Sequence, residues 1–227
     1  MREFVRKKHG ELTYLITYPQ GYQEGEKYPI LFMFHGAGTR NRADYLETHV
    51  FFKELAIAEE QEAFPFITIM PLCTMDSWFD VFEQLRNFVK VVAASSYADP
   101  SRIYFIGASM GGYCTWQLGM SMADYVAAIV PICGGGMYWN SRRLKDVGVW
   151  AFHGEKDQVV YPEESIKMVE GINRNGGNAR LTIYPDCEHD SWSPTFRNPE
   201  VFRWLLSHTR SNSPASGNDT HSGAEFG

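Results

Sequence analysis

The sequence predicts an α/β fold, a mostly parallel central sheet with helices on both faces. Short apolar runs alternate with amphipathic, helix-period segments along most of the 227 residues. The run at 28–34, YPILFMF, is continuously apolar, which suits a strand covered on both faces better than a half-exposed one. Several runs end in glycine-rich stretches, among them His35-Gly36-Ala37-Gly38 and Gly134-Gly135-Gly136.

Taken in order, 12–18 reads as a strand at the edge or start of the sheet, and 28–34 as the first buried one. Residues 48–60 read as a helix turning Phe51, Phe52, Leu55 and Ala58 to a core. A strand at 66–70 is stopped by Pro71. The clearest helix is 79–95, where Val81, Leu85, Phe88, Val89 and Val92 recur on one face. Asp99-Pro100 breaks the chain before a strand at 102–106. Residues 107–112 form a glycine-rich turn, followed by a helix to about Met122. Strands at 126–132 and 147–152, a helix at 162–175, a last strand at 180–184 and a helix at 199–207 complete the pattern. One domain is expected over 1–210. Residues 211–227 are small and polar and read as a disordered or appended tail.

Composition excludes several function classes. A hydrophobic fraction of 44% and an aromatic fraction of 15% fit a globular core. With 21 basic against 27 acidic residues, a broad nucleic-acid surface is not expected. No apolar stretch approaches the ~18 residues of a membrane span. The charged start lacks an apolar segment behind it, so the expectation is no secretory signal and a cytoplasmic protein with reduced thiols. Cys73, Cys114, Cys133 and Cys187 are scattered and form no CxxC pair, which argues against a disulfide scaffold and a cysteine zinc site. Cys73 and Cys187 both follow strand ends and could lie near each other; Cys114 and Cys133 read as small core residues.

The chemistry centres on Gly107-Ala108-Ser109-Met110-Gly111, a G-x-S-x-G pattern with a strand before it and a helix after it. Small residues on either side let the backbone pass through a sharp turn that holds the Ser109 hydroxyl above the sheet. The Met110 N–H then sits at a helix start, free to stabilise an oxyanion. A serine hydroxyl is a weak nucleophile and needs a base held by a third group. In this architecture the acid and then the histidine follow the serine in the chain. Asp157 lies in the loop after the strand at 147–152, where open α/β sheets place their ligands. Glu155 competes with it but directly follows the turn at Gly154. His189 follows the last strand and alone among the 7 histidines has the required order and setting. Asp186 and Asp190 flank it, but sequence neighbours rarely reach the far side of the ring.

A second oxyanion donor is expected from the backbone of Ala37, in the glycine-rich loop after the strand at 28–34. That loop is not a dinucleotide site, because Asn41 stands where the third glycine belongs. Trp78 and Trp192 follow a strand end and the base; they read either as walls of a substrate cleft, with Met75 and Phe79, or as core or lid-packing residues. His35 and His153 end strands beside glycines and read as braces for loops.

At these residues the sequence resembles the α/β-hydrolase superfamily. More narrowly, it resembles bacterial serine esterases often labelled predicted peptidases, close to dienelactone-hydrolase-like and polyhydroxybutyrate-depolymerase-like esterases. The matching stretches are FMFHGAG, DPSRIYFIGASMGGYCTW, AAIVPICGGG, LKDVGVWAFHGEKDQVV and YPDCEHDSW, spread through 30–206. The resemblance implies Ser109 as nucleophile, Asp157 as acid, His189 as base, and Ala37 and Met110 as oxyanion donors. It implies a minimal cap, no metal and no organic cofactor, with a small-molecule or polysaccharide-linked ester as partner. The chain departs from the family at Glu188, where a glycine is common. An amidase, peptidase or thioesterase would use the same residues. A non-catalytic scaffold would be expected to have lost one of them.

Overall fold

The computed structural model describes residues 4–42 and 64–210. The chain opens with an antiparallel hairpin, β1 (Val5–His9) and β2 (Leu12–Thr17). β3 (Tyr28–Phe34), β4 (Ile67–Pro71), β5 (Ala98–Ala108), β6 (Ala128–Ile132), β7 (Gly148–Gly154) and β8 (Arg180–Tyr184) are joined in parallel pairs. The hairpin attaches through the antiparallel β2–β4 pair, and the 8-stranded order is β1-β2-β4-β3-β5-β6-β7-β8. β3 and β5 therefore sit inside the sheet, which is why their side chains are apolar on both faces.

Alternation along each strand sorts the core into two layers. Ile30, Phe32 and Phe34 of β3 face a layer containing α1 (Phe82–Ala93), α2 (Met110–Ser121) and α3 (Glu163–Arg174). Leu31 and Met33 face the other layer, where Phe196, Val201, Phe202 and Leu205 come from α4 (Trp192–Phe196) and α5 (Pro199–Leu206). α1 buries Leu85, Phe88, Val89 and Val92, the stripe read from its spacing. α2 instead buries Gly111, Gly112, Cys114, Thr115, Trp116, Leu118 and Gly119, so it has no polar side of helical width. α5 starts with Pro199 behind Asn198, whose side chain accepts the Glu200 N–H.

Three elements differ from the sequence expectations. β1, VRKKH, is exposed and charged, so it carries no apolar signal; its lysines suit a sheet edge that must not pair with other chains. Asp99 and Pro100 lie inside β5 rather than before it. Between the pairs Tyr28–Ala98 and Ile30–Ile103 the register shifts, and Pro100, which has no N–H to give a ladder, sits in that irregularity. Asp99 holds it by accepting from Ser101 N–H at 3.0 Å and Arg102 Nε at 2.6 Å. The helix expected from 79 begins at Phe82, because Ser77 to Asp80 form a turn tied by the Asp80 carboxylate. The helix expected at 48–60 and the tail at 211–227 lie outside the described residues.

Candidate active site

Ser109 stands between β5 and α2 with φ 56° and ψ −120°, a conformation costing on the order of 1–3 kcal/mol. Packing holds it there. A Cβ on Gly111 would lie 1.9 Å from the Phe34 carbonyl oxygen, so only glycine lets the start of α2 press on the end of β3. The Ser109 N–H donates to Ile132 O at 2.9 Å, and its carbonyl accepts from Tyr113 N–H at 3.0 Å.

The structure brings Ser109, His189 and Asp157 into one hydrogen-bonded chain. His189 Nδ1 lies 2.7 Å from Asp157 Oδ2, and Nε2 lies 3.0 Å from Ser109 Oγ. A carboxylate only accepts, so Nδ1 carries the hydrogen and Nε2 is left to accept from the serine hydroxyl. Asp157 is 2% exposed, and its Oδ1 accepts from the Val159 and Val160 amides at 2.9 and 3.0 Å. Burial opposes its ionisation, but the His189 bond and these amides outweigh it and hold the carboxyl below its ordinary value.

The competing acids are engaged elsewhere. Glu155 accepts the Asp186 N–H at 3.3 Å, Asp186 pairs with Lys156, and Asp190 accepts from Ser193. The loops after β7 and β8 are also joined by Glu155 N–H to Tyr184 O at 3.0 Å and Lys156 N–H to Cys187 O at 2.8 Å. The loop carrying the acid thus positions the loop carrying the histidine.

Ala37 opens a 3-10 turn (Ala37–Thr39) directly after the β3 loop, and Met110 opens α2. First-turn amides have no partner within their own helix, so neither N–H is taken up by its own turn. Trp192 packs edge-on to His189, with ring centres 5.4 Å apart, and is partly exposed.

Trp78 takes the core reading and not the cleft one. It is 1% exposed, packs edge to face against Phe34 in the core and donates its indole N–H to the His35 carbonyl at 3.0 Å. A ring so enclosed cannot wall a cleft; it braces the loop before Ala37. Met75 and Phe79, expected beside it, are exposed. His35 completes that brace by accepting the Cys73 N–H at Nε2, 3.0 Å away, and donating from Nδ1 to Gly36 O at 2.8 Å. Cys73 and Cys187 are unpaired thiols.

One neighbour of the site carried no sequence signal of its place there. Cys133 holds φ 40°, and its sulfur lies within 4.8 Å of ligand-type atoms of Asp157 and His189. Burial pushes its thiol up to about 12, so it stays protonated and is a poor metal ligand as it stands. Met137, Tyr138 and Trp139 after β6, and Val159 and Tyr161 after β7, are exposed apolar side chains. Tyr138 and Trp139 stack edge to face at 5.7 Å. No helix among the described residues is long and apolar enough to cross a membrane.

Known proteins share this architecture. A solved thermostable esterase superposes with a TM-score of 0.80 at 31% identity, over 92% of this chain and 63% of that one. Endo-1,4-beta-xylanase Y of Acetivibrio thermocellus is 28% identical over 218 residues, covering 85% of this chain and 18% of its own length. Feruloyl esterase B of Piromyces equi is 27% identical over 174 residues, 68% of this chain and 31% of its own. The chain thus spans less than a third of the length of these curated relatives. The sheet order, the helices on both faces and the serine at the strand-to-helix turn are those of the α/β-hydrolase fold. Residues 46–198, a span that takes in Ser109, Asp157 and His189, match the dienelactone hydrolase family, and the chain belongs to that family.

Proposed function

We propose that the protein is a serine carboxylesterase that hydrolyses acyl esters linked to carbohydrate. The observation that carries this reading is the chain Asp157–His189–Ser109, with links of 2.7 and 3.0 Å. His189 Nε2 takes the Ser109 proton as Oγ attacks the ester carbonyl. The Ala37 and Met110 amides receive the developing oxyanion; one such donor is worth ~10²–10³ in rate. His189 then gives its proton to the departing alcohol, and the acyl-enzyme forms. In the second half His189 activates a water, which displaces Ser109 and releases the acid. Asp157 keeps the imidazole tautomer and stabilises its charged form.

Two things support a carbohydrate-linked ester. Relatives bear the names feruloyl esterase, xylanase and bifunctional acetylxylan esterase/xylanase. Tyr138, Trp139 and Tyr161, 54%, 69% and 63% exposed, offer flat faces of the kind that stack on sugar or aryl rings. The test is hydrolysis of p-nitrophenyl acetate, butyrate and octanoate, methyl ferulate and acetylated xylan by the wild type and Ser109→Ala. Activity lost in the variant and highest on ferulate or xylan supports the reading. Equal activity in both proteins rejects Ser109. Labelling by a phosphonate ester without ester turnover points to amides or thioesters instead.

A further inference from the structure

His153 is the last side chain of β7 before Gly154, fully buried, and i to Asp157 at i+4. Its Nε2 lies 2.8 Å from the Val160 carbonyl oxygen and 3.3 Å from Asp157 Oδ2. Both of those groups only accept, so Nε2 carries a hydrogen and shares it between them. Nδ1 faces Ser165 Oγ at 2.7 Å. Ser165, on the first turn of α3, is itself fully buried and lies 3.0 Å from the Gly134 carbonyl. Burial pushes His153 below its ordinary histidine value. The single Ser165 hydroxyl hydrogen goes to the Gly134 carbonyl, so the hydrogen on Nε2 follows from the Val160 and Asp157 acceptors alone.

This places two histidines on one oxygen. Asp157 Oδ2 receives His189 Nδ1–H at 2.7 Å and, more weakly, His153 Nε2–H at 3.3 Å. Val160 is gripped from both sides, its N–H by Asp157 and its carbonyl by His153. Without His153, both the carboxylate and the 157–160 loop would lose an anchor on the side away from His189. A residue needed only to fill volume would not require both ring nitrogens to be engaged in line between Ser165 and Asp157.

We propose that His153, held at Nδ1 by Ser165, is a positioning residue that fixes the Asp157 carboxylate in the orientation His189 requires. The proposal rests on the esterase reading above. The test compares His153→Leu, His153→Gln and Ser165→Ala, each with its folded active sites counted by phosphonate labelling. Leucine keeps much of the volume without a donor, whereas the glutamine amide keeps an N–H near the Nε2 position. His153→Leu is expected to lower kcat per labelled site by about 10–100-fold, the loss usual for an outer partner that orients a reactive group, with KM within about twofold. His153→Gln should recover part of that loss. Ser165→Ala should lower kcat by about 2–10-fold, the worth of one hydrogen bond. Unchanged kcat per labelled site in His153→Leu and Ser165→Ala overturns the proposal. So does a loss that glutamine does not recover and that appears equally in KM. Should the leucine variant not fold, His153→Gln and Ser165→Ala still decide it: kcat unchanged by Ser165→Ala, or as low in the glutamine variant as full loss predicts, overturns it. A wild type that neither turns over esters nor labels would instead defeat the esterase reading.

Discussion

Gly154 and Glu188 meet so closely that a Cβ on Gly154 would lie 2.0 Å from the Glu188 carbonyl oxygen. The contact joins the loop of Asp157 to the loop of His189, one residue before the histidine. Gly154→Ala should therefore push the base away from Ser109. The expected result is a kcat reduced by about 10²-fold, the scale of a 1 Å misplacement, and a stability loss of about 1–3 kcal/mol. Ester kinetics and a urea melt on the same preparation check it. Wild-type kcat in that variant would show that the loops relax independently.

Asp157→Asn should leave the fold in place and change the tautomer. An amide offers His189 Nδ1 a donor as readily as an acceptor, so Nε2 can carry the hydrogen and no longer take one from Ser109. A kcat loss of about 10⁴-fold is expected by comparison with other Ser-His-Asp hydrolases. Loss under tenfold in steady-state kinetics would mean that Glu155 or Asp190 can substitute.

Trp78 makes a prediction about structure rather than substrate. Trp78→Phe leaves the His35 carbonyl without its buried indole donor and opens space in the core. Stability should fall by about 1–3 kcal/mol, while KM for small esters stays within about twofold. Calorimetry with kinetics separates this from a cleft residue, whose replacement would move KM first.

Trp139 is the reverse case. At 69% exposure it contributes little to the core, so Trp139→Ala should leave the melting temperature within a degree or two. KM should rise about 5–10-fold on feruloylated or acetylated xylan and remain unchanged on p-nitrophenyl acetate, a loss of the size of one aromatic stacking contact. Equal shifts on both substrates would place Trp139 outside any polysaccharide platform.

Acid should weaken the fold in two stages. His153 is lowered from 6.5 by burial, against opposing contacts with Val160 and Asp157. Asp157 is lowered from 3.8, its hydrogen bonds outweighing burial. In both cases the unfolded chain binds protons at a higher pH than the folded one, so stability rises with pH through the window. As pH falls below about 6.5 the His153 contribution is lost, and below about 3.8 the Asp157 contribution follows. Melting temperatures from pH 7.5 to 5 should fall in the wild type and fall less in His153→Gln. A flat wild-type profile would contradict the buried neutral ring.

Much of this protein is legible in one dimension. The run at Tyr28–Phe34 and the stripe from Leu85 to Val92 are properties of neighbours in the chain, and Ser109, Asp157 and His189 follow in the order this architecture requires. Hydrophobic period and turn chemistry act over a few residues, so they can be read without a partner. Tertiary structure decided the rest. β1 is a strand because β2 offers it an edge, not because VRKKH favours one. Trp78 points into the core because the turn after β4 passes beneath the β3 loop, and nothing around Trp78 in the chain records that crossing. His153 reaches both Ser165 and Asp157 only when α3 packs on β7. The direction of a side chain follows from register and from which distant element covers it. That is why the candidate residues could be picked out in the chain, whereas the network that joins them required the fold.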